Sequence, residues 1–237
     1  MYKNLVLLDT NRHKNLKINP YINMDFAKNS TLIPVLANEV ALLGSAFPIV
    51  FSATPSASLV LIVSLDKESL AITPQGQWAT QYVPAFFRRY PFSLGQTQEK
   101  PDEKLIMIDE NSEMFSTTSG ERLFDEEGKN TPTLQTAINF LMTYEEYIKQ
   151  TLQMTKTILE SDILEDMEIS VGEGEDKRVL VTGFKVVSKD KLKELDDLTL
   201  AQWVRSGIMA LIDSHLNSLE HIQTLFTLTQ LRQGQGS

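Results

Sequence analysis

The chain has 237 residues, of which 42% are hydrophobic and 22% charged, the balance of an ordered globular protein with enough length for one sizeable core or two smaller ones. A net charge of −9 disfavours general binding to nucleic acid or to anionic membrane surfaces. Cysteine is absent, which excludes disulfides, thiolate metal ligands and cysteine nucleophiles.

The N-terminal apolar run is cut short by Asp9 and has no small-residue cleavage site, so it reads as a strand rather than a signal peptide. Cytoplasmic residence is the expectation, with export by a route that uses no N-terminal signal left open. The stretch from Leu32 to Ala53 is the most apolar, but it carries Pro34, Asn38, Glu39 and Pro48, which are costly in lipid, so no transmembrane helix is expected. Short apolar runs at Leu5 to Leu8, Pro48 to Phe51, Leu59 to Val63 and Leu105 to Ile108 predict strands, with a short helix over Ala37 to Ala46 and a turn at Thr73 to Gly76. Gly95 to Lys104 is a polar loop, and the acidic segment from Asp109 to Glu127 ends in Gly120 to Gly128, which reads as a hairpin arm closing on a glycine turn.

After about residue 130 the apolar period changes. Thr131 before Pro132 is a helix start, and Leu134, Ile138, Leu141, Ile148, Leu152 and Leu159 mark one face of a long amphipathic helix. Met167 to Val171 and Arg178 to Val187 flank Gly172 to Glu175 as a β-hairpin. Thr199 with Gln202 forms a capping-box signature, opening a helix whose face carries Trp203, Gly207, Leu211 and His215, with a last helix from about Ser218 to Leu231.

The densest chemistry lies between Trp78 and Phe92, where fifteen residues hold six aromatic rings, two arginines and two prolines. Pro84 and Pro91 restrict the residues before them, which predicts a stiff, extended segment with a trans Tyr90–Pro91 bond. On an extended segment Arg88 and Arg89 point to opposite faces, so only one of them can face a given pocket. That guanidinium can grip a carboxylate or phosphate with Tyr90, Phe92 or Trp78 as an aromatic wall, or it can form an internal ion pair with Asp109, Glu121 or Asp125. Arg88, Arg89, Trp78, Tyr82 and Tyr90 are therefore the candidate ligand-binding residues. No catalytic residue is assigned: there is no phosphate-cradling glycine loop and no Gly-x-Ser-x-Gly elbow. The acidic runs lack the ligand spacing of a calcium loop, and His13, His215 and His221 are badly spaced for a metal, so neither a metal nor another cofactor is expected.

Ala46 to Phe51, Gly76 to Trp78, Tyr82 to Ala85, Arg88 to Phe92, Gly120 to Asp125, Gly183 with Phe184, and His215 to Leu219 together resemble the SapC family of bacterial proteins, from about Ile33 to Arg232. The chain has Ser64 and Ser69 where the family pattern favours glycine and asparagine. The family is named for a surface-layer-associated protein, and its genes often lie near those for outer-membrane receptors, flavin-dependent halogenase-like proteins and cupins. The resemblance implies a role in envelope, surface-layer or nutrient-uptake functions and supplies no catalytic residues.

The whole reads as an α+β protein in one compact unit, with a β-rich lobe over residues 1–130 carrying the Trp78 to Phe92 motif. A mainly helical lobe over 131–237 carries the hairpin near 167–187. The expected role is non-catalytic binding or assembly, with an unknown protein partner or an anionic or aromatic small molecule, and with self-association left open. The alternative is an enzyme, or an accessory to a neighbouring halogenase-like or cupin enzyme, acting on such a small molecule.

Overall fold

In chain order the elements are strand β1 (Leu5–Leu7), helix α1 (Thr10–His13), β2 (Lys17–Ile18), β3 (Leu32–Pro34), α2 (Val40–Leu43), β4 (Ile49–Ser52), β5 (Leu59–Ile62) and α3 (Ala85–Arg88). They continue with β6 (Phe92–Gly95), β7 (Leu105–Asp109), β8 (Phe115–Ser116), β9 (Glu121–Arg122), the long α4 (Pro132–Glu160), β10 (Leu164–Val171) and β11 (Arg178–Val187). Four helices close the chain: α5 (Lys189–Lys193), α6 (Asp197–Ser206), α7 (Ile208–Ser218) and α8 (His221–Gln235). This is a computed structural model, and it describes residues 1–19, 23–96, 104–172 and 176–235. Most of the expected polar loop after Gly95 and the tip of the expected 172–175 turn lie outside the described residues. The fold is α+β, as the sequence implied, and the described residues form three antiparallel sheets.

The chain divides into two compact units that interleave along the sequence, Met1–Phe26 with Ala85–Glu146, and Ala27–Pro84 with Tyr147–Ser237. The first unit contains the sheets β1-β7-β6 and β8-β2-β9. Val6 pairs with Ile108, which pairs in turn with Phe92 on its other side, so β7 is the central strand. Its core gathers Tyr90, Phe92, Ile108, Leu123 and Phe124 with Leu134 and Leu141 from the first half of α4. Burying one such side chain is worth about 1.5–3 kcal/mol, which is what fixes the helix on the strands.

The second unit is built on the five-stranded sheet β10-β11-β4-β5-β3. Ile49, Val50 and Phe51 on β4 are all buried, so this strand is covered on both faces and reads as a continuous apolar run. Leu211, His215 and Ser218 lie at helical spacing on one buried face of α7. The Ser218 hydroxyl accepts from the Ile49 N–H at 2.9 Å, fixing that face to β4.

Several local expectations are corrected. Leu152 is exposed, and the buried stripe of α4 in the second unit runs through Thr151, Thr155 and Ile158. Thr151 Oγ1 accepts from the Ala37 N–H at 2.9 Å and donates to the Tyr147 carbonyl at 2.7 Å, so a threonine can be buried there without loss. Helix α6 is capped by Asp196 rather than by Thr199, since the Asp196 carboxylate accepts from the N–H groups of both Leu198 and Thr199. It ends on Gly207 in the left-handed conformation, with φ +82°, which glycine adopts at little cost. The last helix starts at His221, three residues later than expected.

Candidate functional site

Ala85 to Arg88 form a helical turn, α3, and not the extended segment expected from the flanking prolines. The Arg89 N–H continues the turn by donating to the Ala85 carbonyl at 3.1 Å. Neighbouring side chains on a helical turn diverge by roughly 100° instead of 180°. Arg88 and Arg89 consequently line the same cavity, of about 320 Å³, which corrects the expectation that only one could. The Tyr90–Pro91 bond is cis, contrary to the expected trans form.

The cavity belongs wholly to the first unit. Its apolar wall includes Ile18, Phe92, Met114 and Phe140, and its polar rim includes Asn19, Glu121 and Thr133. The Arg88 guanidinium lies over the Phe140 ring, 5.1 Å from its centroid. Arg89 is half-buried, and its guanidinium sits 4.7 Å from the Phe86 ring centroid, 5.2 Å from that of Tyr144 and 5.7 Å from that of Tyr2. Its Nε donates to the Phe86 carbonyl at 3.3 Å. Among the described residues no carboxylate lies within ion-pairing distance of Arg89.

The acidic residues expected as its partners are engaged elsewhere. Asp109 is fully buried, and its carboxylate accepts from the Lys3 N–H at 2.9 Å, the Asn4 N–H at 2.8 Å and the Tyr90 hydroxyl at 3.1 Å. Burial pushes its pKa up, but these hydrogen bonds outweigh it and hold the carboxyl below its ordinary value. Asp125 accepts from the N–H groups of Glu127 and Lys129. Glu121 accepts from the Thr133 hydroxyl through Oε2.

Of the five sequence candidates, Arg88, Arg89 and Tyr90 come together at the cavity. Burial raises the pKa of the Tyr90 hydroxyl, whose ring stacks on Phe26 at 4.3 Å. Trp78 and Tyr82 belong to the second unit and line none of it. The Trp78 indole N–H donates to the Thr80 hydroxyl at 2.8 Å, and its ring lies 6.1 Å from that of Phe47. The Tyr82 hydroxyl donates to the buried Glu39 carboxylate at 3.0 Å. Phe140, Tyr144 and Glu121 had not been singled out as site residues. Phe140 and Tyr144 are four apart on α4 with rings 6.4 Å apart and nearly parallel, so an aromatic pair at helical spacing was the available signal.

No group of histidine, aspartate and glutamate side chains among the described residues could hold a metal ion, and none of their helices is long and apolar enough to cross a membrane.

The fold and the cavity define an α+β protein with an arginine-and-aromatic recess in its first unit. The chain belongs to the SapC family, whose model matches residues 8–225. No curated protein and no solved structure matches it.

Proposed function

We propose that this protein is a non-catalytic binding protein whose first unit takes a small anionic molecule with an apolar part in the Arg88–Arg89 cavity. The observation that carries the reading is Arg89, a half-buried guanidinium beside three aromatic rings with no carboxylate partner among the described residues. A guanidinium whose faces are covered by rings keeps its edge donors for a planar anion, and the rings keep it partly desolvated, which strengthens the attraction. The cavity wall of Ile18, Phe92, Met114 and Phe140 accommodates the apolar part. Membership of the SapC family favours a setting in bacterial envelope, surface-layer or nutrient-uptake functions.

Isothermal titration with benzoate, 3-phenylpropionate and phenyl phosphate tests the reading. Saturable binding of at least one of these, lost in Arg89→Gln with the far-UV circular dichroism unchanged, is the expected result. Absence of binding by all three at millimolar concentration overturns it.

A further inference from the structure

Besides its two guanidinium groups, the lining of the same recess includes one carboxylate. Glu121 is exposed at the cavity rim, and Thr133 donates to its Oε2, while Oε1 has no hydrogen-bond partner among the described residues. The Asn19 amide lines the same rim, and its side chain likewise has no hydrogen-bond partner there. Fixing one oxygen of a carboxylate orients the other, which leaves Oε1 as an acceptor on the rim that also carries Asn19, in a cavity whose other charged groups are the two guanidinium groups.

From this we infer that the ligand is a zwitterion of the α-amino-acid type with an apolar side chain. The inference rests on the anion-binding reading above. The ligand carboxylate meets the arginines, its ammonium meets Glu121 and Asn19, and its side chain covers the wall formed by Phe92, Met114 and Phe140. The alternatives fit the charges less well. A dianion such as a phosphate ester would match the two guanidinium groups but would bring negative charge near the Glu121 carboxylate and give nothing to Oε1. A simple monocarboxylate would bring its charge near Glu121 and give nothing to Oε1. Size points the same way, because about 320 Å³ is at the small end of ligand cavities and suits one amino acid better than a peptide.

The test uses pairs that differ only in the amine. Phenylalanine is compared with 3-phenylpropionate, and leucine with 4-methylpentanoate, by isothermal titration at pH 7 against the wild-type chain, Glu121→Gln and Arg89→Gln. Phenethylamine supplies the cation alone. The expected result is that at least one amino acid binds tenfold or more tightly than its deaminated partner, that Glu121→Gln removes this advantage, and that Arg89→Gln abolishes binding of both. Glutamine can still accept from the Thr133 hydroxyl, so Glu121→Gln should keep its fold, which an unchanged melting temperature verifies. If the deaminated acids bind as tightly as the amino acids, or if Glu121→Gln leaves the advantage intact, the zwitterion inference is wrong and the anion-binding reading stands. Binding by phenethylamine alone, or by none of the five compounds, overturns the zwitterion inference, and if benzoate and phenyl phosphate also fail to bind, the anion-binding reading falls with it.

Discussion

His215 donates from Nδ1 to the carbonyl oxygen of Ile49 at 2.7 Å, a bond between α7 and the central strand β4 within the second unit. Its Nε2 accepts from the Val187 N–H at 3.1 Å, so both ring nitrogens are used by the backbone and the neutral Nδ1–H tautomer is the one that fits. The ring also meets Phe51 edge-on, 5.0 Å between centroids. Protonation would turn Nε2 from an acceptor into a donor facing another donor, in a fully buried site.

This arrangement predicts a loss of stability in mild acid. Burial lowers the His215 pKa to about 4, against the opposing pull of the bond to Ile49. Between the ordinary value near 6.5 and about 4 the unfolded chain binds a proton that the folded chain does not, so stability falls as the pH falls through that window. The full effect is about 3 kcal/mol. Urea unfolding at pH 7, 5.5 and 4 should show a decline that is shallower in His215→Gln by about that amount. Equal declines in the two proteins would show that His215 is protonated in the folded state.

Asp109 and Tyr90 give a prediction for the first unit. Replacing Tyr90 by Phe removes one hydrogen bond to a charged group, at a cost of about 1.5–3 kcal/mol. Asp109→Ala strands three donors instead, the N–H groups of Lys3 and Asn4 and the Tyr90 hydroxyl, each worth about 1–3 kcal/mol, so it should be clearly the more damaging change. Because the folded Asp109 pKa is lowered, its contribution is complete above the ordinary carboxylate range and disappears as the pH falls through the folded value. Denaturant titrations of both variants at pH 7 and pH 3 check the order and the direction, and equal costs at pH 7 would count against the network.

Strands β1, β4, β5, β7, β10 and β11 were legible as apolar runs, while β2, β3, β8 and β9 are too short to show a pattern, and the change of period at Thr131 marks the start of α4. Helix α3 was not legible, since four residues between two prolines are too few to show a period, and the prolines argued for extension. That single local error reversed the geometry of Arg88 and Arg89. The buried Thr151 and Thr155 were hidden for a different reason: threonine counts as polar until its hydroxyl is seen to have partners, such as the Ser56 carbonyl that Thr155 meets at 3.2 Å. Arg88, Arg89 and Tyr90 could be picked out as site candidates because they are adjacent in sequence. Glu121 and Phe140 reach the cavity from β9 and α4, and the spacing of Phe140 and Tyr144 marks a shared helix face without saying that it meets the arginines.

The two arginines can be separated from a structural ion pair by stability alone. With aromatic rings as its neighbours and no carboxylate among the described residues, Arg89 contributes through cation–π contact, so Arg89→Gln should cost about 0.5–2 kcal/mol. Breaking a buried ion pair would cost about 3–5 kcal/mol. Chemical denaturation distinguishes the two ranges. A loss in the higher range would make Arg89 a structural residue and remove the main support for the binding reading.

Ser64 and Ser69 sit in a polar cluster closed by Arg232 of α8. The Ser64 hydroxyl donates to Asp66 at 2.9 Å, and Arg232 bonds to the Asp66 carboxylate, the Ser64 hydroxyl, and the carbonyls of Glu68 and Ser69. Burial raises the Asp66 pKa, but the bonds from Arg232, the Glu68 N–H and the Ser64 hydroxyl prevail and lower it. The guanidinium is partly exposed, which limits its worth, so Arg232→Ala should cost only about 1 kcal/mol globally. Its local effect should be larger than that figure suggests, because Arg232 lies in the last turn of α8 and gathers several acceptors from the 64–69 loop. Hydrogen exchange should accelerate in the last turns of α8 and in residues 64–69 of Arg232→Ala while β4 and β5 keep their protection. Unchanged exchange in both segments would mean that the end of α8 is held by apolar packing of residues such as Leu225, which is buried, and that the cluster is incidental.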